Sequence, residues 1–214
     1  PLHSVVPPWE MQRAVFDIDD THLKKSEHPH ILASNIKSRL NEHYPVHLHV
    51  YTDGSLLDNH QAGAGFVIPV LKIKKSFHIG ENRSIFIAEL VAVLMALNFL
   101  LDLPVTVCQV LMCVDSKSVL SALQSIGHSI RIGIVSEINT IIHFLTIKGT
   151  QVTFLWIPSH CGISGNDSAD WIAKEGAKQS FESDSVNLRI PFTVQECQCL
   201  LKKVFLESLY RCTT

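Results

Sequence analysis

The chain has 214 residues, 46% of them hydrophobic, and a formal net charge of −2 at pH 7. This length and hydrophobic content suit one domain with a sizeable core plus extensions. The charge excludes a surface that is basic throughout, which strong nucleic-acid binders usually have. The most apolar stretch, residues 85–101, is too short for a membrane span and contains a carboxylate, so a membrane protein is also excluded. No charged segment followed by an apolar stretch opens the chain, and we expect no signal peptide.

Six cysteines occur at spacings that match no zinc-finger pattern. Reduced, mostly buried thiols of this kind are typical of an intracellular protein, and the sequence leaves nucleus and cytoplasm open. The first residue is a proline and not a methionine, which indicates a piece of a longer protein.

Patterning divides the chain into an N-terminal connector (1–45), a domain (46–180) and a C-terminal extension (181–214). The connector has a helical pattern over 31–40, and the extension has one over 193–209. Apolar periodicity in the domain predicts elements in the order β-β-β-α-β-α-α-β-α. The predicted strands cover 47–51, 63–70, 72–79, 105–114 and 151–157, and the predicted helices cover 84–101, 116–126, 130–147 and 164–178. A three-strand antiparallel meander followed by strand–helix crossovers predicts an α/β fold, with a five-stranded mixed sheet and helices on both faces.

Four carboxylates stand where these elements begin or end. Asp53 closes the first predicted strand and Asp115 closes the fourth, so the two lie together if these strands are neighbours. Glu89 lies in the apolar helix, where a buried carboxylate without a partner is costly. Asp170 lies in the first turn of the last helix. Three of the four also have a structural interpretation. Asp53 could be a turn residue, Asp115 a helix N-cap, and Asp170 a first-turn acid favoured by the helix dipole.

Carboxylates gathered in one place repel one another and must be neutralised. Hard divalent cations do this with oxygen ligands, and Mg²⁺ is the usual one where phosphate is the substrate. Two metals about 4 Å apart can clamp an in-line phosphoryl displacement. His160 follows the last strand on a glycine-containing loop and is of a residue type that carries protons. With 12 histidines in the chain, a plain surface role is the simpler interpretation of any one of them.

Five short motifs occur in order along residues 47–179. They are Tyr-Thr-Asp-Gly-Ser, Ala-Glu-Leu, Val-Asp-Ser, Trp-Ile-Pro-Ser-His-Cys-Gly and Gly-Asn-Asp-Ser-Ala-Asp. In this order and at these separations they closely resemble type 1 ribonuclease H. The resemblance implies a ribonuclease H-like fold and endonucleolytic hydrolysis of the RNA strand of RNA–DNA hybrids, leaving 5′-phosphomonoesters. It also implies two Mg²⁺ ions as cofactors, or Mn²⁺ in their place.

The resemblance further implies a role for each acid and for the loop histidine. Asp53, Glu89 and Asp115 match the three core metal ligands. Asp170, rather than Asp167, matches the fourth, because the family places its last aspartate at this distance after the loop histidine. His160 matches the histidine that assists proton transfer or product release.

The predicted substrate-binding residues are Gly54, Ser55, Ser84, Ser116 and Lys117. The first three fall near positions where the family contacts the minor groove of the hybrid, whose 2′-hydroxyls mark the RNA. Lys117 and the basic pair at 74–75 are candidate phosphate contacts.

The resemblance is closest to the ribonuclease H domain of non-LTR retrotransposon polyproteins. Pro7-Pro8-Trp9 and Ile190-Pro191-Phe192 resemble segments that flank the domain there. A basic, tryptophan-containing insertion, with which some cellular members hold the hybrid, is absent from 128–149. We therefore expect a linked or associated reverse transcriptase domain as a partner, beside the hybrid itself.

Three alternatives differ in the features they require. A catalytically silent ribonuclease H-like scaffold or nucleic-acid-binding domain would be marked by loss of a carboxylate, and all four are present. An integrase or a 3′–5′ exonuclease of related fold lacks the Pro-Ser-His-x-Gly loop. A zinc protein built on Cys197 and Cys199 would need a second pair of ligands, which the sequence does not offer.

Overall fold

The computed structural model describes residues 11–18, 28–125 and 133–179, and its centre is a mixed sheet of six strands. The strands are β1 (Val15–Asp17), β2 (Leu48–Leu56), β3 (Gln61–Ile68), β4 (Ile73–Glu81), β5 (Gln109–Val114) and β6 (Gln151–Trp156). Their order across the sheet is β1-β6-β5-β2-β3-β4. The strands β2, β3 and β4 form an antiparallel meander, whereas β1, β6, β5 and β2 run parallel. The predicted α/β fold with a mixed sheet is confirmed.

Helices cover both faces of this sheet, as predicted. They are α1 (Pro29–His43), α2 (Ile85–Leu101), α3 (Lys117–Gln124), α4 (Gly133–Ile147) and α5 (Ser164–Lys178). A short 3-10 turn joins β3 to β4. Among the described residues, no helix is long and apolar enough to cross a membrane.

Alternate residues of β5 pack into two apolar clusters, one on each face of the sheet. Val110, Met112 and Val114 pack with α2, α3 and α4 on one face of the sheet. Leu111 and Cys113 point the other way and pack with α1 and α5. A strand buried on both faces carries a continuous apolar run, and β5 does so. Its neighbours in the sheet hold the candidate site, so this double burial gives the site a rigid support.

The sheet has six strands and not the five that the sequence predicts. The additional strand β1 pairs with β6 at the sheet edge and lies within the segment interpreted as a connector. The Asp17 carboxylate accepts hydrogen bonds from the Arg39 guanidinium and the Tyr44 hydroxyl, which attach β1 to α1 and the residue after it. A three-residue strand is too short for its alternation to be distinguished from irregular chain.

Two predicted strands differ by several residues in length from those in the structure. The strand predicted over 105–114 begins only at Gln109, and Val105 is exposed. The first strand of the domain continues past Asp53 to Leu56, because β3 supplies an antiparallel partner along its whole second half. The predicted helical segment 193–209 and residues 126–132 lie outside the described residues.

Candidate active site

Three carboxylates from three different elements meet at one end of the parallel part of the sheet. Asp53 lies within β2, Glu89 lies in the second turn of α2, and Asp115 directly follows β5. Each residue offers an oxygen atom, and these three oxygens lie within 4.8 Å of one another. The parallel pairing of β2 with β5 ends at Thr52 and Val114, so the next residue of each strand is an aspartate. The pairing register therefore brings Asp53 and Asp115 together.

The close approach of α2 to β2 brings Glu89 to the aspartates. Gly54 lies against the first turns of α2, where a Cβ atom at this position would be only 2.4 Å from the backbone nitrogen of Glu89. The Ser84 side chain accepts a hydrogen bond from the Ile87 backbone N–H at 3.3 Å and caps the start of this helix. The glycine thus permits the contact, and the cap defines the helix start from which Glu89 is placed.

Asp170 and His160 lie beside this three-carboxylate cluster. Asp170 is close enough that it raises the pKa of both Asp53 and Asp115. Asp170 lies in the second turn of α5 and not, as predicted, in the first, and it forms an ion pair with Lys174 at 2.7 Å, one turn further along. His160 has a left-handed backbone with φ of 53°, and its charge lowers the pKa of Asp115. The structure thus brings all five predicted catalytic residues to one place.

Burial and mutual repulsion make these carboxylates unusually basic. Burial, then the charges of Asp115 and Asp170, raises the pKa of Asp53 to about 8. Burial, then the charges of Asp53 and Asp115, raises the pKa of Glu89 to about 10. Burial also raises the pKa of Asp115. The backbone N–H of Gly54 opposes the shift at Asp53 and Glu89 by hydrogen bonding, but it does not cancel the shift.

The donor set fits a hard divalent cation. Three carboxylates converge, and the Oε2 atom of Glu89 is buried without a hydrogen-bond partner among the described residues. A buried acceptor of this kind is costly unless it is satisfied, and a cation satisfies it while it neutralises the like charges. The cluster is thus able to hold a metal ion.

A comparison with protein families matches residues 45–178 to the RNase H model. The chain belongs to the RNase H family. No curated protein matches the chain. The matched region begins before β2 and ends at the last residue of α5, so it contains every residue of the cluster.

The residues predicted to bind substrate in this RNase H domain differ in their burial and local contacts. Gly54 and Ser55 are buried within β2, and Ser84 is the N-cap of α2. Ser116 is the residue before α3, and its hydroxyl lies 3.0 Å from that of Ser118. The ammonium of Lys117 lies 4.1 Å from the centre of the Trp156 ring.

Two residues around Asp115 were not singled out from the sequence. The Trp156 indole N–H donates to the Asp115 backbone carbonyl at 3.1 Å, and the Asn166 side-chain amide donates to the Asp115 carboxylate at 3.1 Å. Both lie within motifs that resemble the family, each four residues before a residue chosen for its chemistry, His160 and Asp170 respectively. An asparagine in the first turn of a helix otherwise indicates only a local capping preference, so its sequence carries no sign of a distant carboxylate.

We expect the metal-free RNase H domain to lose stability as the pH rises from about 4 to about 10. The folded pKa values of Asp53 and Glu89 lie above their unfolded values, so the folded state binds protons more tightly. This stability is fully present below the unfolded pKa of about 4 and is lost as the pH rises through the folded values. Unfolding midpoints measured in EDTA across this range test the expectation.

Millimolar Mg²⁺ should flatten this decline, because a cation that binds only the folded state stabilises it and takes over the role of the protons. Asp115→Asn should shrink the stabilisation by Mg²⁺. An EDTA midpoint that rises with pH, or Mg²⁺ without effect on the midpoint, would contradict the preformed carboxylate cluster.

Proposed function

We propose that this domain is an endonuclease that hydrolyses the RNA strand of RNA–DNA hybrids and leaves 5′-phosphomonoesters. The observation that carries the proposal is the converging carboxylate cluster, with its unpartnered Glu89 oxygen, inside an RNase H family domain. Phosphodiester hydrolysis needs neutralisation of the charge that develops on the phosphate, and a carboxylate-bound divalent cation supplies it. The same cluster would serve no purpose in a purely structural domain, since it destabilises the fold.

The roles of the side chains follow from their places. Asp53, Glu89 and Asp115 would hold Mg²⁺, or Mn²⁺ in its place, as two ions with Asp170 completing the set. When bound, these ions supply an activated water and stabilise the leaving oxygen. His160 lies at the edge of the cluster on the loop after β6, where its imidazole can take up or deliver a proton at the entrance.

We further propose that the domain works beside a reverse transcriptase domain in a non-LTR retrotransposon polyprotein. The motifs near residues 7–9 and 190–192 support this context, although both lie outside the described residues. The net charge of −2 also supports it, because a domain with few surplus cations holds a phosphate backbone weakly. A linked polymerase domain would hold the hybrid and raise its effective concentration at the nuclease.

A cleavage assay on four labelled substrates tests the activity. RNA–DNA hybrid, duplex DNA, duplex RNA and single-stranded RNA are each incubated with the protein in Mg²⁺ and in EDTA. We expect cleavage of the hybrid alone, within the RNA strand and only with Mg²⁺. Hybrid binding without any cleavage would favour the catalytically silent scaffold, and equal cleavage of single-stranded RNA would contradict hybrid specificity.

Charge reversal at Lys117 is expected to weaken hybrid binding without abolishing cleavage at saturating hybrid. Lys117 lies at the start of α3, two residues after Asp115, where a backbone phosphate of a bound hybrid would pass. Loss of one phosphate contact lowers the slope of log affinity against log salt by about 1. Titration of labelled hybrid into an inactive background, at low and moderate salt, measures this slope for Lys117→Glu.

Lys37→Glu is the matched control for this titration, because Lys37 is exposed on α1 and has the same charge. The two variants change the net charge equally, so only a local contact distinguishes them. If both weaken binding by the same factor, the effect is one of overall charge and Lys117 makes no specific contact.

A further inference from the structure

A buried asparagine contacts one of the cluster carboxylates across a long stretch of chain. Asn166 lies in the first turn of α5 and is only 3% exposed. Its Nδ2 atom donates to Oδ2 of Asp115 at 3.1 Å, although the two residues are 51 positions apart. The preceding Gly165 allows this depth, because a Cβ atom there would be 2.4 Å from the Tyr51 ring. The start of α5 is thus packed closely enough on the sheet to bring the amide to the acid.

The other end of this amide is left unsatisfied. The Oδ1 atom of Asn166 is buried and has no hydrogen-bond partner among the described residues. A buried carbonyl oxygen without a donor costs free energy, so an apolar side chain of similar size would suit the packing better. The amide also has one sensible orientation, since a flipped Oδ1 would face the Asp115 carboxylate. Among the described residues, the hydrogen bond to Asp115 is therefore the interaction that favours asparagine over an apolar side chain at this position.

Asp115 needs such a contact because it lies just beyond the regular sheet. The last paired residue of β5 is Val114, opposite Trp156, and Asp115 has no strand partner. The Trp156 indole N–H donates to the Asp115 backbone carbonyl at 3.1 Å, which holds the main chain. This bond leaves the side-chain rotation of Asp115 unrestrained. The Asn166 amide restrains that rotation from the other side.

We propose that Asn166 is a positioning residue that orients the Asp115 carboxylate toward Asp53 and Glu89. This role rests on the proposed function, because it serves the metal ions held by the three carboxylates. Groups that orient metal ligands through hydrogen bonds commonly alter metal affinity by about 10–100-fold. The role assigned to Asn166 is exerted through its hydrogen bond to Asp115.

The test measures metal binding without substrate in four variants of the full chain. Asn166→Leu keeps the number and branching of the side-chain heavy atoms and removes the amide, and Asn166→Ala removes the amide and the branch. Ile172→Ala is the matched control, because Ile172 is also buried on α5 but belongs to the apolar cluster. Asp115→Asn removes the carboxylate itself. Electron paramagnetic resonance of free Mn²⁺ gives the Kd of each variant, and thermal unfolding in EDTA gives its stability.

We expect Asn166→Leu and Asn166→Ala to raise the Kd for Mn²⁺ by about 10-fold or more. The EDTA midpoint of Asn166→Leu should fall no further than that of Ile172→Ala, because removal of the unsatisfied oxygen offsets part of the cost of the larger leucine. Ile172→Ala should lower the midpoint and leave the Kd unchanged. In cleavage assays, Asn166→Leu should need more Mg²⁺ for half-maximal rate, with an unchanged KM for hybrid at saturating Mg²⁺.

Three different failures are distinguishable. If the wild-type protein binds no Mn²⁺, the metal site fails and the positioning role fails with it. If Asp115→Asn abolishes Mn²⁺ binding while Asn166→Leu leaves the Kd at the wild-type value, the metal site stands and the positioning role is overturned. A Kd that rises in proportion to the lost stability in Ile172→Ala as well as in Asn166→Ala would reduce Asn166 to a packing residue.

Discussion

Asp53→Asn is expected to reduce hybrid cleavage by at least about 10³-fold, equivalent to about 4 kcal/mol of transition-state stabilisation. Asp53 belongs to the cluster, and its oxygen is within 4.8 Å of those of Glu89 and Asp115. Asparagine keeps the shape of the side chain and removes its charge, so a cation loses a ligand while the packing is retained. Single-turnover cleavage of labelled hybrid in Mg²⁺ measures the loss.

The same substitution should leave the domain folded and raise its unfolding midpoint in EDTA at pH 8. Asp53 is buried at 6% exposure among like charges, so removing its charge relieves repulsion that the metal-free fold has to bear. Loss of activity with a gain of stability is the pattern of a residue kept for function. Destabilisation with partial activity would indicate a structural role instead.

Asp58→Asn is the matched control for this pair of measurements. Asp58 lies five residues further along, exposed in the turn between β2 and β3. The chemical change is identical, but no carboxylate cluster surrounds it. We expect wild-type cleavage and a wild-type midpoint. Near-normal turnover of Asp53→Asn, alongside a normal Asp58→Asn, would overturn the metal-based activity.

Gly54→Ala is expected to destabilise the domain by about 3 kcal/mol or more, at the upper end of the cost of overpacking. The added Cβ would be 2.4 Å from the Glu89 nitrogen and 2.6 Å from the Ala88 carbonyl carbon. Both are backbone atoms of α2 and cannot rotate away, so the helix has to move as a body. That movement would carry Glu89 away from Asp53 and Asp115, and cleavage should fall even in the fraction that remains folded.

Gly133→Ala serves as the control for the effect of an added methyl group in this chain. A Cβ atom at Gly133, the first residue of α4, would meet nothing within 4 Å among the described residues. We expect an unchanged or slightly higher stability there, because alanine has the better helix propensity. Denaturant unfolding of both variants, with cleavage measured at matched folded fractions, tests the pair. A Gly54→Ala variant as stable and active as Gly133→Ala would show that α2 does not approach β2 this closely.

Local patterns in the sequence were sufficient for most elements of the domain. Helix α5 has the predicted bounds of 164–178, and α2 begins one residue after its predicted start because Ser84 is the N-cap. Elements with a long apolar period are predictable because the period reports which side is buried. Strand β1 has only three residues, too few for the alternation of apolar residues to indicate a strand. Residues 105–108 continue the apolar run of β5, so the pattern predicts strand there although β5 begins only at Gln109.

For the candidate site, the sequence predicted the types of the ligand residues better than their positions within the strands. The residue types of Asp53, Glu89 and Asp115, and their places near strand ends and in an apolar helix, already indicated a cation site. That Asp53 lies inside β2 and not at its end depends on the antiparallel partner β3, which supplies backbone hydrogen bonds beyond Thr52. The sequence of β2 does not indicate that its pairing with the parallel strand β5 ends at Thr52.

The sequence by itself determined the alternation of strands and helices, the two-sided burial of β5 and the identity of the acids, because each of these is a property of neighbouring residues. Only the tertiary structure decided which acids share a site, how closely Gly54 brings α2 to β2, and that Asn166 contacts Asp115. These contacts join residues far apart in the chain, and their existence depends on strand register and helix packing rather than on the composition of any one segment.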